Sequence, residues 1–241
     1  MPRLAFLLGA GASVDSGLMT YRGIGGLYNN SSQGQQEPED VLTTENFNAN
    51  PAAVWSFLKP LYEGYGKASQ GSKFPGATYQ EITKLVTVYP DSFVLTQNVD
   101  GFVRDLGCPY IELHGNMHTA QCPRCREIAH VTDGLSLIPT CSQCHLIMKP
   151  NIVLFGDDLH HQDILMMNKL MKTRPTHFII IGTGLHFPYL RKLVDKAKQY
   201  GAQIIHINPD PKYKHHLKSR EIWFHENSLD GLRRLEKELE D

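Results

Sequence analysis

The chain has 241 residues, 41% of them hydrophobic and 20% charged, with Lys+Arg 24 against Asp+Glu 25 for a formal net charge of −1. That is the composition of an ordinary globular protein, long enough for one large domain or a large one plus a small one. No apolar run approaches the ~18 residues of a membrane-spanning helix, and no basic excess draws the chain onto nucleic acid or anionic lipid. The most basic stretch, Lys212 to Arg220, reads as a solvated face.

The N-terminus opens with Arg3, an apolar stretch and small residues, which mimics a signal peptide. Its apolar core is only Leu4–Leu8, shorter than the ~7 residues of a minimal signal core. A first strand is expected there, with the mature protein starting at this end. Further strands are expected at Ser92–Thr96, Tyr110–Leu113, Ile152–Phe155, Phe178–Gly182, Ile204–Asn208 and Glu221–Phe224. Helix-length segments lie between them at Pro51–Tyr65, Thr78–Tyr89, Ile164–Lys172, Tyr189–Tyr200 and Leu229–Leu239. Strands that read as continuous apolar runs, alternating with helices, predict an α/β fold: a Rossmann-like parallel sheet covered on both faces. Asn29–Glu39 and Gly64–Gly76 read as loops, and Cys122–Cys144 as a compact insertion.

Three patterns carry chemistry. The first is "LLGAGASVDSG", a strand running straight into Gly9-Ala10-Gly11. Glycines there let backbone N–H groups approach a pyrophosphate. The dehydrogenase fingerprint fails, because Val14 stands at its third glycine and the first acid about 20 residues on is Glu37, inside a polar loop. A nucleotide site and a structural turn both remain open on the glycines alone. The second pattern is C-x2-C-x15-C-x2-C at Cys122, Cys125, Cys141 and Cys144. Two knuckles of two thiolates each complete a tetrahedron for one structural Zn²⁺, with no ligand position left for water. His118, His130 and His145 lie nearby but are not needed, and Cys108 reads as a buried bystander. Paired CxxC motifs without a secretory signal point to the cytoplasm, where thiols stay reduced. The third is a pair of polar clusters, "TQNVDG" (Thr96–Gly101) and "ELHGN" (Glu112–Asn116), each closing a predicted buried strand. In open α/β sheets, ligands sit outside the carboxyl ends of strands; the bland reading is that Asn98 and Asp100 cap a helix and His114 is a turn histidine.

Taken in order, "GAGASVDSG…YRG…GLY", "TQNVDG", "LHGN", the two CxxC pairs, "KPNIVLFGDDL", "IGTGL" and "INPD" resemble the sirtuins, NAD-dependent protein-lysine deacylases, over nearly the whole chain. The pattern is most similar to the short, bacterial-type, threonine-containing branch. The resemblance implies one catalytic domain. Residues 1–28, 90–117 and 150–241 would form the Rossmann-like part, 29–89 a helical cofactor-loop insertion, and 118–149 an inserted zinc-ribbon module. It implies that Gly9, Ala10, Gly11, Ser13, Tyr21 and Arg22 line the pyrophosphate and nicotinamide ribose of NAD, and that Gln97 contacts that ribose. Asn98 and Asp100 would line the nicotinamide pocket, with Asn98 taking part in catalysis alongside the general base His114. Gly182, Thr183 and Asn208 would hold the adenosine end, and Val153, Phe155 and Gly156 would pair with the substrate peptide as a strand. NAD is consumed as co-substrate, giving nicotinamide and O-acyl-ADP-ribose.

Some positions depart from the family pattern. Met19-Thr20 replaces a Pro-Asp pair, Gly184 stands where a serine is usual, and Asp157 replaces a glutamate. Leu58 and Leu61 occupy the positions where removers of acidic acyl groups carry Tyr and Arg. An apolar pocket leaves a carboxylate unpaired, so acetyl or longer neutral acyl groups are expected over succinyl; the alternative is that both leucines face the core. The competing functions are an NAD-consuming ADP-ribosyltransferase or glycohydrolase, and a non-catalytic NAD-binding module. The expected partners are acyl-lysine proteins or peptides, without nucleic acid or membrane; the oligomeric state is open, with a monomer favoured, and the expected location is the cytoplasm, with the nucleus as the alternative in a eukaryote.

Overall fold

The computed structural model describes residues 1–18, 38–69, 75–131 and 138–240. The strands run β1 (Leu4–Leu8), β2 (Phe93–Thr96), β3 (Tyr110–Glu112), β4 (Gly115–Gln121), β5 (Ile128–His130), β6 (Lys149–Ile152), β7 (His177–Ile181), β8 (Gln203–Ile207) and β9 (Ile222–Phe224). The helices are α1 (Pro38–Val41), α2 (Thr44–Ala49), α3 (Pro51–Ser69), α4 (Ala77–Val88), α5 (His161–Met171), α6 (Pro188–Gln199) and α7 (Ser228–Glu240). Six strands form one sheet in the order β3-β2-β1-β7-β8-β9, every pairing parallel. The strand order reverses between β1 and β7, which opens a crevice at their carboxyl ends.

Alternation along each strand sends side chains to opposite faces, and both faces are covered. Leu4, Phe6 and Leu8 of β1, with Ile179 and Ile181 of β7, enter a core shared with α3, α4 and α7. Ala5 and Leu7, with Phe178 and Ile180, enter a second core against α6. Period-2 burial on both sides is why these strands read as unbroken apolar runs.

β4, β5 and β6 form a separate antiparallel sheet in the order β5-β4-β6. This corrects the expected strand Ile152–Phe155. The strand is Lys149–Ile152, and it pairs with β4 instead of joining the parallel sheet. Beyond it the chain turns to Thr43, with Phe155 N–H donating to the Leu42 carbonyl and Thr44 N–H to the Phe155 carbonyl. α1 takes Pro38 and Glu39 from the expected loop Asn29–Glu39, whose other residues lie outside the described ones, and α2 follows where no element was expected. α3 runs four residues beyond Tyr65, into the expected Gly64–Gly76 loop. It also continues through Pro60. Pro60 and Ser56, whose carbonyl the missing N–H would have met, are both exposed to water.

One tertiary device fixes the mouth of the crevice. Gly76 precedes α4 without a side-chain cap of its own. Asp15, from the 3-10 turn Ala10–Ser16, supplies it by accepting from Thr78 N (2.7 Å) and Thr78 Oγ1 (2.9 Å), while Gly76 N donates to Ser16 Oγ (2.9 Å). A carboxylate at a helix N-terminus meets its orphan donors and its dipole. The link sets α4, and Tyr79 on it, against the glycine-rich turn.

Candidate active site

The carboxyl ends of β1, β2, β3, β7 and β8 release, in order, Gly9–Ser13, Gln97–Asp100, His114, Gly182–Thr183 and Asn208. A parallel sheet thus gathers onto one edge residues that lie far apart in the chain. Ser13, Asn98 and Asp100 are buried, at 2%, 5% and 4% exposure. Ser13 Oγ donates to Asp100 Oδ2 (2.6 Å), and Asn98 Nδ2 donates to Ser13 Oγ (3.0 Å) and to the Gly9 carbonyl (3.0 Å). Gln97 Nε2 donates to Thr183 Oγ1 (2.9 Å), joining the two walls of the crevice. Asn208 accepts from Asp210 N through Oδ1 (2.9 Å), so its side chain shapes the turn after β8.

The glycines act differently from the sequence expectation. Gly9 N donates to the Ile181 carbonyl (2.9 Å) and Gly11 N to the Gly182 carbonyl (3.0 Å), so neither N–H is open to a pyrophosphate. A Cβ on Gly9 would stand 2.5 Å from Thr183 Cβ, and one on Gly11 2.6 Å from Gly182 Cα. Both are glycine because two backbone turns touch there, with Gly182 itself at φ +61°. Ser228 Oγ, at the start of α7, closes the arrangement by donating to the Gly11 carbonyl (2.9 Å).

His114 has a partner on each ring nitrogen. Nδ1 meets the Gln97 carbonyl at 3.0 Å, which requires Nδ1 to carry the hydrogen, and the Tyr189 hydroxyl lies 2.6 Å from Nε2. Burial lowers the His114 pKa against the opposing pull of the Gln97 carbonyl, which favours a neutral imidazole with its lone pair on Nε2. Phe187 packs edge-on to the ring at 5.4 Å. Burial also raises the Asp100 carboxyl from 3.8 to about 6, against the Ser13 hydroxyl and the Phe102 N–H.

Two groups of this site went unseen in the sequence. Tyr79, 1% exposed, brings its hydroxyl to 2.9 Å from Ser13 Oγ and 3.3 Å from Asn98 Nδ2. Tyr189 sits in the first turn of α6. Neither belongs to a polar run at a strand end, and only the packing of α4 and α6 reveals them.

Val153 N donates to the His114 carbonyl (2.9 Å), which places the 153–156 segment beside the base. Phe155 already spends its N–H and C=O on Leu42 and Thr44, so pairing with a peptide strand cannot run through Phe155. Gly156 is exposed, at φ +90°. Asp157 turns inward: its carboxylate accepts from Thr44 Oγ1 (2.5 Å), Lys149 Nζ (2.5 Å) and Leu154 N (2.9 Å). Desolvation opposes its ionisation, but these donors outweigh it and hold the pKa below the ordinary carboxylate value. Leu58 lies in the core at 4% exposure and Leu61 is half-buried against it. A Cβ on Gly184 would meet His186 Nε2 at 2.4 Å, the mobile end of a side chain. Tyr21 and Arg22 lie outside the described residues.

At the far end of the small sheet the sulfurs of Cys122, Cys125, Cys141 and Cys144 all lie within 4.8 Å of one another, with Cys125 and Cys141 3.5 Å apart. Four thiolates around a tetrahedral Zn²⁺ with ~2.3 Å bonds stand about 3.8 Å apart. Donor set and spacing both fit one zinc ion. His118 belongs elsewhere: its Nε2 meets the Asp100 carbonyl at 2.8 Å. Cys108 is only half-buried, and burial raises its thiol to about 11.

The sequence model of the Sir2 family matches residues 9–188. An NAD-dependent protein deacylase 2 of Pseudomonas aeruginosa is 33% identical over 213 residues, 86% of this chain and 81% of the relative. An NAD-dependent protein deacylase of Aquifex aeolicus is 32% identical over 234 residues, 95% and 92% of the two chains. Among solved structures, one described under the mechanism and regulation of Sir2 enzymes superposes with TM-score 0.81 at 25% identity, covering 99% of this chain and 93% of that one. A mutant Sir2 homologue in complex with 2'-O-acetyl ADP ribose superposes with TM-score 0.80 at 26% identity, covering 98% and 93%.

Proposed function

The chain belongs to the Sir2 family, and from that premise we propose that it is an NAD-dependent protein deacylase that moves acyl groups from lysine side chains to ADP-ribose and releases nicotinamide. The observation that carries the reading is the convergence of Ser13, Gln97, Asn98, Asp100, His114 and Thr183 on one crevice at the strand-order reversal.

NAD enters this crevice as co-substrate. Asn98 and Asp100 form the nicotinamide pocket, with Ser13 and Tyr79 fixing their orientation. Gln97 and Thr183 flank the ribose, and Asn208 sits at the adenosine end. His114, neutral and with its lone pair on Nε2, takes a proton from a ribose hydroxyl so that the resulting oxygen attacks the carbon bearing the captured acyl oxygen. Burial of Asn98 and Asp100 keeps water from competing at that carbon.

The acyl-lysine peptide approaches beside Val153–Gly156 at the exposed Gly156, without strand pairing to Val153 N–H or Phe155, whose backbone groups are already bonded within the chain. Leu58 faces the core and Leu61 packs against it, so these leucines line no acyl pocket and the acyl preference is read from the peptide panel below. Cys122, Cys125, Cys141 and Cys144 hold one Zn²⁺, which fixes the fold of the small sheet; with four thiolates around it, no ligand position is left for chemistry. Residues 118–149 act as this module, 29–89 as the helical insertion, and 1–28, 90–117 and 150–241 as the Rossmann-like part. Four thiolate ligands suit the reducing cytoplasm.

Incubation with NAD and matched acetyl-, butyryl-, myristoyl- and succinyl-lysine peptides, followed by mass spectrometry, tests the reading. Deacylated peptide and O-acyl-ADP-ribose are expected, and both are lost in His114→Ala. Nicotinamide release with every acyl group intact would refute it in favour of ADP-ribosyl transfer or NAD hydrolysis.

A further inference from the structure

His114 is fixed by its neighbours in a way that leaves one nitrogen for chemistry. A carbonyl oxygen can only accept, so Nδ1 is a donor to Gln97 and the ring's lone pair lies at Nε2. The Tyr189 hydroxyl, 2.6 Å away, therefore donates to Nε2. That lone pair is the one a ribose hydroxyl needs, and two O–H donors cannot both point along it.

The surroundings make the contact a built one. Tyr189 begins α6, directly after the loop that leaves β7 at Gly182 (φ +61°) and passes Leu185 (φ +52°). That left-handed step brings the chain back over the crevice. Phe187 stacks on the Tyr189 ring (6.0 Å between centroids, 29° between planes) and meets His114 edge-on. The pair covers the base from the α6 side. Without Tyr189, a largely buried lone pair would stand unsatisfied whenever the crevice lacks a ribose.

Building on the deacylase reading, we propose that Tyr189 is a positioning residue for the reaction: its hydroxyl holds the reactive nitrogen of His114 until the ribose hydroxyl takes its place. Ribose binding then exchanges one hydrogen bond for another, and Tyr189 withdraws from the base. The exchange sets the apparent affinity for the ADP-ribose moiety, because each ribose that docks must first break the Tyr189–His114 bond.

The test is calorimetric titration of free ADP-ribose into the full-length zinc-loaded protein as wild type, Tyr189→Phe, His114→Ala and the double variant. Tyr189→Phe keeps the ring and its stacking on Phe187 and removes only the hydroxyl. Its dissociation constant is expected to fall about 2- to 10-fold, the equivalent of one net hydrogen bond. In the His114→Ala background the same substitution is expected to change nothing, because the coupling runs through the imidazole. Tyr189→Leu, with the thermal midpoint of each variant recorded, provides a second route to the same comparison. Unchanged or weaker binding by Tyr189→Phe, or an equal change in the His114→Ala background, overturns the inference alone. A wild type that fails to bind ADP-ribose overturns the NAD reading, and the inference with it.

Discussion

Asp100 offers a stability test of the site that needs no substrate. Its carboxyl is 4% exposed, and burial raises it from 3.8 to about 6, with the Glu112 charge acting in the same direction and the Ser13 hydroxyl, the Phe102 N–H and His118 opposing. A raised carboxyl pKa means that the folded chain holds this proton more tightly than the unfolded chain does. Below the unfolded value the group is neutral in both states and costs nothing. As pH rises through the folded value, the fold must carry a buried charge and loses stability. A carboxyl moved from 3.8 to about 6 costs about 3 kcal/mol once it is fully ionised in both states. Roughly half of that, about 1–2 kcal/mol, develops between about pH 5 and about pH 8. Asp100→Asn removes the charge and keeps the shape. Urea unfolding of both proteins across that range should show the variant gaining on the wild type by about 1–2 kcal/mol as pH rises, at equal denaturant slopes. Hydrogen bonds that the amide makes or misses shift its curve by a constant and leave this slope untouched. A gap between the curves that stays the same at every pH would refute the argument, since it would mean that Asp100 titrates alike in both states.

Further substitutions separate close packing, capping, core filling and metal. Gly11→Ala drives a Cβ into Gly182 backbone and is expected to cost about 1–3 kcal/mol in chemical unfolding, whereas Gly64→Ala, within α3 and with nothing within 4 Å, should gain up to about 1 kcal/mol. Asp15→Ala strips α4 of its cap and should lower stability by about 1 kcal/mol, with Asp15→Asn recovering part of it. Leu58→Ala should cost about 2–5 kcal/mol in a denaturant titration, because its side chain fills the main core. Cys125→Ser should lower the zinc content measured by atomic emission from one ion per chain toward none and expose Trp55, whose Nε1 donates to the Met148 carbonyl beside the small sheet, in a fluorescence spectrum.

The parallel sheet was legible because its strands are buried on both faces and therefore lack polar alternation; Leu4–Leu8 and His177–Ile181 are the plainest cases. The cysteine quartet was equally plain, since two short knuckles already bring each thiolate pair together. Polar runs at strand ends gave Gln97, Asn98, Asp100 and His114, because a parallel sheet aligns every carboxyl end on one edge.

What the local pattern could not carry was decided by contacts between distant segments. Lys149–Ile152 joined the antiparallel sheet because β4 lay beside it. The glycines at 9 and 11 looked like a phosphate cradle, yet their N–H groups went to Ile181 and Gly182, since two turns meet there without room for a Cβ. Tyr79 and Tyr189 were ordinary helix residues until α4, capped by Asp15 from across the crevice, and α6, docked over β7, carried their hydroxyls to Ser13 and His114. Residue types and short spacings set which chemistry the chain can hold. Which hydroxyl meets which base depends on helix placement, a property of packing between elements that no single stretch of sequence contains.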